Sequence, residues 1–362
     1  MREHPLGAPT ARSPNQDSLI EDLCSDVTAA DPRSARLSVV RQLTRARTPG
    51  SLGRLDDLVH RIAGIRRTAT PGPLPAAVSV LAGDHGVAAH GVSMHSHGLT
   101  SQVLRLVAAG RAPVNILAAR IPARVECADF GLLEPVGNQR YKVAPGTSDI
   151  SGQDAMSPAQ ARQAVLNGAA YARCRLAGAA LLAVGEIGVG NTTAASALAV
   201  RLLGTSPAQM VGAGSGVDAD TVAHKRGLVE QALRRTRKVP DDPLRLLAAL
   251  GGYEIAGNVG VVLAAAGRQQ VTVIDGMITA VAALIAVRLC PATADAVVAS
   301  HCSAEPAHRA LLDALSRSPL LELGMRLGMA SGAALALGVI NSALAVADLT
   351  PPAASVGLAA RP

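Results

Sequence analysis

The chain is nearly devoid of aromatic residues: its 362 residues hold one Phe, three Tyr and no Trp. Proteins that read nucleic acids by stacking bases on aromatic platforms need such residues, so their scarcity argues against that class. Cysteine is scarce as well, with five residues, Cys24, Cys127, Cys174, Cys290 and Cys302, odd in number and without a CxxC pair. That argues against a disulfide framework and against structural zinc, and predicts a reducing compartment. The first residues, MREHPLGAPTARSPNQDS, lack the apolar core of a signal peptide. No apolar run reaches membrane-spanning length without interruption, so a soluble, cytoplasmic protein with no membrane partner is expected.

What remains is 49% hydrophobic residues, and with so few aromatics the core must be built from Ala, Val, Leu and Ile. Ala and the 35 glycines favour close packing of helices on a sheet. The net charge is +7, with much of the excess in Arg33, Arg36, Arg41, Arg45, Arg47, Arg54, Arg61, Arg66 and Arg67. It suits an anionic small substrate, and no nucleic-acid motif accompanies it.

Residues 1–34 are rich in Pro, Ser, Asp and Arg without periodicity, and read as a disordered leader. Val39 to Thr48 reads as a short helix, and an amphipathic helix through Ile65 follows the turn at Pro49-Gly50. Beyond Pro75, short apolar strands alternate with longer helices. The strands are Ala76 to Ala82, Val125 to Phe130, Ala179 to Val184, Gln270 to Ile274 and Ala294 to Ala299, and the last helical region covers Met325 to Ala345. This alternation predicts an α/β fold, a parallel sheet covered by helices on both faces. Ligands of such folds bind at the carboxyl ends of the strands. Polar clusters fall there four times: Gly83-Asp84-His85, Gly185-Glu186, Asp275-Gly276 and Ser300-His301.

The stretch Leu181 to Thr193, LLAVGEIGVGNTT, runs from strand through glycines to a helix start. It offers backbone N–H groups and the positive end of a helix dipole to an anion. Gly185 to Thr192 approximates GxxxxGKS/T, but Asn191 stands where the lysine belongs, which argues against a P-loop NTPase. Glu186 at the mouth of the turn would repel a phosphate alone; it suits a ligand with a cationic or proton-bearing part as well. Gly212, Gly214 and Gly216 match a dinucleotide fingerprint only loosely. His85, His90, His95 and His97 cluster locally, but their spacing fits no zinc signature, and no metal is expected.

Seven motifs in order then closely resemble the nicotinate-nucleotide–dimethylbenzimidazole phosphoribosyltransferase family of cobalamin lower-ligand assembly. They are Pro49-Gly50-Ser51-Leu52-Gly53-Arg54-Leu55, Gly83-Asp84-His85-Gly86-Val87 with Gly91-Val92-Ser93, Gly185 to Thr193, Gly251-Gly252-Tyr253-Glu254, Val273-Ile274-Asp275-Gly276, Ser300 to Pro306 and Met325-Arg326-Leu327-Gly328. The resemblance runs from about Val39 to Ala345. It implies a Rossmann-like α/β domain over 76–324, a small helical domain from 35–75 and 325–350, a flexible tail over 351–362, and a homodimer. It implies transfer of the 5-phosphoribosyl group from nicotinate mononucleotide to a benzimidazole-type base, with no cofactor and no metal.

By the same resemblance Glu186 is catalytic. Gly188, Gly190, Asn191, Thr192, Gly214, Ser215, Lys225, Asp275, Gly276, Ser300, His301 and Arg326 would bind phosphate and ribose. Met94, His95, Val103, Ile187 and Leu327 would line the acceptor-base pocket.

One departure stands out. The family's base is a glutamate in a segment resembling RLGEGTGA, which here reads Arg326-Leu327-Gly328-Met329-Ala330-Ser331-Gly332-Ala333. Met329 occupies the position of the base, and a thioether takes no proton at neutral pH. Ser96 and Ala307 replace a family proline and glycine. Three readings follow: Glu186 serves as base; His95 or His97 has taken over, with a changed acceptor; or the chain binds a nucleotide or a partner without turnover. An active or weakly active transferase, with the usual or a different acceptor, is favoured over a pure binding protein.

Overall fold

The computed structural model describes residues 15–96 and 98–357. Its centre is a five-stranded sheet of β1 (Ala76–Gly83), β2 (Ala123–Gly131), β3 (Leu181–Ile187), β4 (Val271–Ile274) and β5 (Val297–Ala299). All neighbours are parallel, in the order β2-β1-β3-β4-β5. β1 is buried along its whole length and β3 at every residue but Ile187, which is why both read as unbroken apolar runs. After β1 the chain first moves outward to β2, then returns to β1's other side as β3. The ends of β1 and β3 therefore flank a topological switch point, where a crevice opens between diverging connections.

Two helices, α1 (Gln16–Ser25) and α2 (Pro32–Leu43), precede α3 (Arg54–Ile65). α4 (Gly98–Ala108) and α5 (Pro113–Ala118) join β1 to β2, and α6 (Pro158–Arg175) leads to β3. Between β3 and β4 lie α7 (Asn191–Leu203), α8 (Pro207–Met210), α9 (Ala219–Arg235), α10 (Pro243–Leu250) and α11 (Tyr253–Gly267). α12 (Met277–Leu289) joins β4 to β5, and α13 (Pro306–Ala314) and α14 (Ser331–Leu349) complete the chain.

The strands alternate strictly between two cores, as the period of two requires. Ala77, Leu81, Leu182, Val184 and Ile274 pack with α1, α6, α7, α11 and α12. Val78, Val80, Leu181, Ala183 and Val273 face α3, α5 and α14, through Leu58, Val59, Ile62, Leu337, Ile340 and Leu344. The N- and C-terminal helices thus share a hydrophobic cluster with the sheet. They are also joined to each other, Gln42 Nε2 donating to the Ala347 carbonyl at 3.0 Å.

Several expectations need correction. The leader does not extend to residue 34: α1 forms under an Asn15 cap, and its Ile20 and Leu23 enter the main core. Residues 1–14 lie outside the described residues. The tail is not free at its start, since Ala46 N–H donates to the Pro351 carbonyl and Ala353 N–H to Thr44, both at 2.9 Å; residues 358–362 lie outside the described residues. The last strand begins only at Val297, because Pro291–Ala296 winds as a 3-10 turn. Met325 to Ala330 is a loop, and helix starts at Ser331. That helix does have the length and apolarity of a membrane span, with 19 residues and a mean hydropathy of 1.7. Ala333, Leu337, Ile340 and Leu344 bury one side of it.

Candidate active site

The carboxyl ends of β3, β4 and β5 open into one cavity of about 570 Å³, while the polar cluster after β1, Gly83-Asp84-His85, does not line it. β3 delivers Glu186, and the chain then turns tightly into α7. Two glycines make that turn feasible. Gly188 abuts β1 so closely that a Cβ would lie 2.4 Å from the Gly83 carbonyl oxygen, and Gly190, the N-cap of α7, has φ +92°. Asn191 and Thr192 therefore bring the positive end of a 13-residue helix to the cavity wall.

Glu186 has one oxygen in use, with Asn191 Nδ2 donating to Oε2, while Oε1 points towards Gly328. Burial, and then the charges of Glu254 and Asp275, push its carboxyl up to about 8; the Asn191 bond opposes them. Near neutral pH the group therefore carries a proton it can readily lose.

Asp275, just past β4, does two things. It lines the cavity, and its Oδ1 accepts from Ala333 N–H at 2.9 Å. It thus caps α14 in place of a side chain from the helix's own start. Burial raises its carboxyl, opposed by His301, whose Nδ1 lies 3.9 Å away. His301 packs its ring where a Cβ on Gly332 would have to be. Ser300 is buried behind it, 2.8 Å from His301 Nδ1, and does not reach the cavity.

On the opposite wall the loop after α8 presents Gly214 and Ser215. Glu305 Oε1 accepts from Gly214 N–H at 2.8 Å. The guanidinium of Arg326 lies over Gly216, where a Cβ would be 2.8 Å from Nη1, and it forms no ion pair among the described residues. Lys225 is placed differently from expectation. Its ammonium is buried beneath the loop, donating to Thr192 Oγ1 at 3.2 Å and the Gly212 carbonyl at 2.9 Å. It ties the two glycine turns together rather than lining the cavity.

The apolar side holds Val103, Ile187, Leu327 and Met329, with His95 at its rim. Met94 is 64% exposed and lies off the cavity; its N–H only approaches Ser215 Oγ. His97 lies outside the described residues. Sixteen predicted positions, Glu186, Met329, Gly188, Gly190, Asn191, Thr192, Gly214, Ser215, Asp275, Gly276, His301, Arg326, His95, Val103, Ile187 and Leu327, are thus brought together. Sequence reasoning missed Val92, Ser93, Leu99, Val189, Met277, Ile278, Ser303, Glu305 and Gly328. For Glu305 the signal was present, an acid beside a polar strand end. The apolar residues carried none, being indistinguishable from core. Among the described residues no group of three or more His, Cys, Asp or Glu side chains is arranged to hold a metal.

A cavity with an anion-ready helix terminus and free guanidinium at one side, an apolar wall at the other and a proton-holding carboxyl between them can bind a phosphorylated compound and a flat apolar one together. A family model described as phosphoribosyltransferase matches residues 27–356. A nicotinate-nucleotide–dimethylbenzimidazole phosphoribosyltransferase of Pseudomonas putida (strain W619) is 38% identical over 346 residues, covering 94% of this chain and 98% of its own. One from Xanthomonas axonopodis pv. citri (strain 306) is 42% identical over 319 residues, 87% of this chain and 91% of its own. The crystal structure of such an enzyme from Thermus thermophilus superposes with a TM-score of 0.85 at 34% identity, over 91% of this chain and 99% of that one.

Proposed function

From the premise that this chain belongs to the nicotinate-nucleotide–dimethylbenzimidazole phosphoribosyltransferase family, we propose how its cavity performs the transfer. The enzyme moves the 5-phosphoribosyl group from nicotinate mononucleotide to 5,6-dimethylbenzimidazole or a related base, giving α-ribazole 5'-phosphate and nicotinate. The observation that carries the reading is Glu186, a buried carboxyl between the phosphate side and the apolar side.

The phosphate sits against the start of α7, Gly214, Ser215 and Arg326, and the ribose beside Asp275 and His301. The pyridinium ring of the donor is cationic, so its binding favours the ionised form of Glu186. The bond from ribose C1' to the pyridinium nitrogen breaks with its electron pair going to nicotinate. The positive charge that develops on the ribose is stabilised by the Glu186 carboxylate. The unprotonated ring nitrogen of the acceptor gives its pair to C1', and the proton on its other nitrogen passes to Glu186. A base whose pKa lies near the working pH serves this step best.

Met329 favours a particular acceptor class. It is 6% exposed and contributes an apolar surface where the family has an acid, which suits an apolar, benzimidazole-like base. Assembly as a homodimer belongs to the same reading, supported by apolar Leu37, Val40, Leu43 and Leu349 exposed at α2 and the end of α14. So does a cytoplasmic setting, supported by five free cysteines. The test is release of nicotinate from nicotinate mononucleotide, with and without 5,6-dimethylbenzimidazole. Release that depends on the base, with α-ribazole 5'-phosphate formed in equal amount, is expected; release without it, or none, contradicts the reading.

A further inference from the structure

Two cysteines 266 positions apart meet at the end of the sheet opposite the cavity. α12 leaves the cavity at Gly276 and runs back over the sheet for its 13 residues, roughly 20 Å. Cys290 follows its last turn, and the 3-10 turn Pro291–Ala296 then leads into β5, so this is the amino end of the strands. α1 ends at the same place, with Cys24 in its last turn. The Cys290 thiol donates to the Cys24 carbonyl at 3.6 Å. The Cys24 thiol in turn donates to the carbonyl of Leu289, the residue before Cys290, at 4.0 Å. Each sulfur lies against the main chain that carries the other, and both are free thiols.

The backbone on either side of the pair is held in place. Ile20 and Leu23 of α1 enter the main core, Cys290 belongs to the same cluster, and Cys24 packs against it. Beyond Cys24, Ala30 N–H donates to Asp295 Oδ2 at 2.9 Å, so the chain after α1 runs beside the chain after α12. Facing main chains with adjacent sulfurs are what a disulfide needs, since it spans Cα atoms only about 4.4–6.8 Å apart. A rotation about χ1 between staggered wells turns such a sulfur from a carbonyl towards its partner. The other cysteines are placed differently. The Cys302 thiol reaches the adjacent Ser303 carbonyl, and Cys127 and Cys174 border a separate cavity. A single buried cysteine is an ordinary small apolar residue; two with reciprocal contacts across 266 positions are not explained by packing alone.

We propose that Cys24 and Cys290 are a redox-active dithiol whose disulfide locks α1 onto the end of α12. The oxidant is a small disulfide of the glutathione class. Its S–S bond breaks, an Sγ–Sγ bond forms between Cys24 and Cys290, and the two thiol hydrogens leave on two glutathione molecules. In a reducing compartment the pair rests as thiols, and the bond forms under oxidation. The reaction is slow, because burial and the neighbouring Cys290 push the Cys24 thiol up to about 11 and the thiolate is the attacking form. α1 gains most from the lock. Its remaining holds are Ile20, Leu23 and ion pairs of Arg162 with Asp17 and Arg173 with Asp26, and exposed ion pairs contribute little. A bond closing so long a loop also restricts the unfolded chain.

The test holds the full chain overnight at pH 8.5 in glutathione buffers from fully reduced to fully oxidised, then quenches, alkylates and digests it. The expected product is a Cys24–Cys290 peptide pair lighter by two hydrogens than its parts, returned to free thiols by dithiothreitol. The oxidised chain should melt several degrees higher. The amides of α1 should exchange hydrogen more slowly, by on the order of tenfold. Cys24→Ser and Cys290→Ser should show none of these changes. If Cys24 and Cys290 stay thiols, or carry only glutathione, in a buffer that modifies the exposed Cys174, the proposal is overturned. A cross-link between any other two cysteines overturns it too, and a Cys24–Cys290 bond that leaves exchange in α1 unchanged refutes the lock. Should Cys290→Ser fail to fold, the peptide map of the parent against Cys24→Ser decides. None of these readouts needs turnover, so the result stands apart from the transferase reading.

Discussion

The backbone N–H of Met329 donates to the backbone carbonyl of Glu186 at 3.2 Å. The two positions of acid–base interest are therefore fastened to each other through the main chain, whatever side chain 329 carries. The loop reaches Glu186 through three successive left-handed residues, Gly328 at φ +75°, Met329 at +58° and Ala330 at +61°. A non-glycine residue there costs about 1 kcal/mol or more and persists only where its surroundings impose it. Those surroundings are Asp275, which receives the Ala333 amide of the following turn, and Gly185, where a Cβ would lie 2.1 Å from Ala330 N.

Because Met329 already holds this backbone, Met329→Glu adds no backbone strain and places a second carboxylate beside the first. With Glu186 as base, kcat should change by less than about tenfold. The KM for 5,6-dimethylbenzimidazole should rise as a charge replaces apolar surface. A gain of orders of magnitude in kcat, measured by nicotinate release, would mean that the parent lacks an effective base.

In the proposed role Glu186 must lose its proton to act, and its carboxyl is pushed up to about 8. In the free enzyme kcat/KM should therefore climb roughly tenfold per pH unit below that value and level off above it. The limb should be absent in Glu186→Gln. His95→Ala should keep the parent profile, because His95 only borders the cavity.

The same shift makes a stability statement. Above its ordinary range and below about 8, folded Glu186 holds a proton that the unfolded chain has released. Stability thus falls as pH rises from about 4.5 towards 8, by an amount on the order of a few kcal/mol. Glu186→Gln removes this loss: its Tm should match the parent near pH 5 and exceed it at pH 8. An advantage that is the same at both pH values would contradict the linkage.

Much of the site was legible because its elements have local signatures. Glu186 and the glycines before Asn191 follow an apolar strand, and Asp275 and His301 likewise end buried runs, so chain order alone put them at one edge of the sheet. Lys225 was not legible in the same way. Its sequence position showed proximity to Gly214, but only packing decides that the ammonium faces Thr192 and the Gly212 carbonyl. α1 was missed because two core residues, Ile20 and Leu23, within a polar run give too weak a periodicity. The left-handed Met329 and Ala330 break the propensity of their residue types, which tertiary contacts override.

Arg326 and Lys225 should separate cleanly. Arg326→Ala removes an exposed cation, so the KM for nicotinate mononucleotide should rise by roughly 10- to 100-fold with little change in Tm. Burial lowers the proton affinity of Lys225, with Glu305 opposing it. Lys225→Met strips two acceptors of their donor and should lower Tm by several degrees. Equal effects of the two changes on Tm would contradict their placement.

The most direct measurement is turnover of the parent against Glu186→Gln, with nicotinate mononucleotide and 5,6-dimethylbenzimidazole at pH 8, following nicotinate and α-ribazole 5'-phosphate together. The parent should form both in equal amounts, and Glu186→Gln should be slower by on the order of 100- to 10,000-fold while remaining folded. A Glu186→Gln protein that turns over at the parent rate would place the base elsewhere and remove the carboxyl from the mechanism.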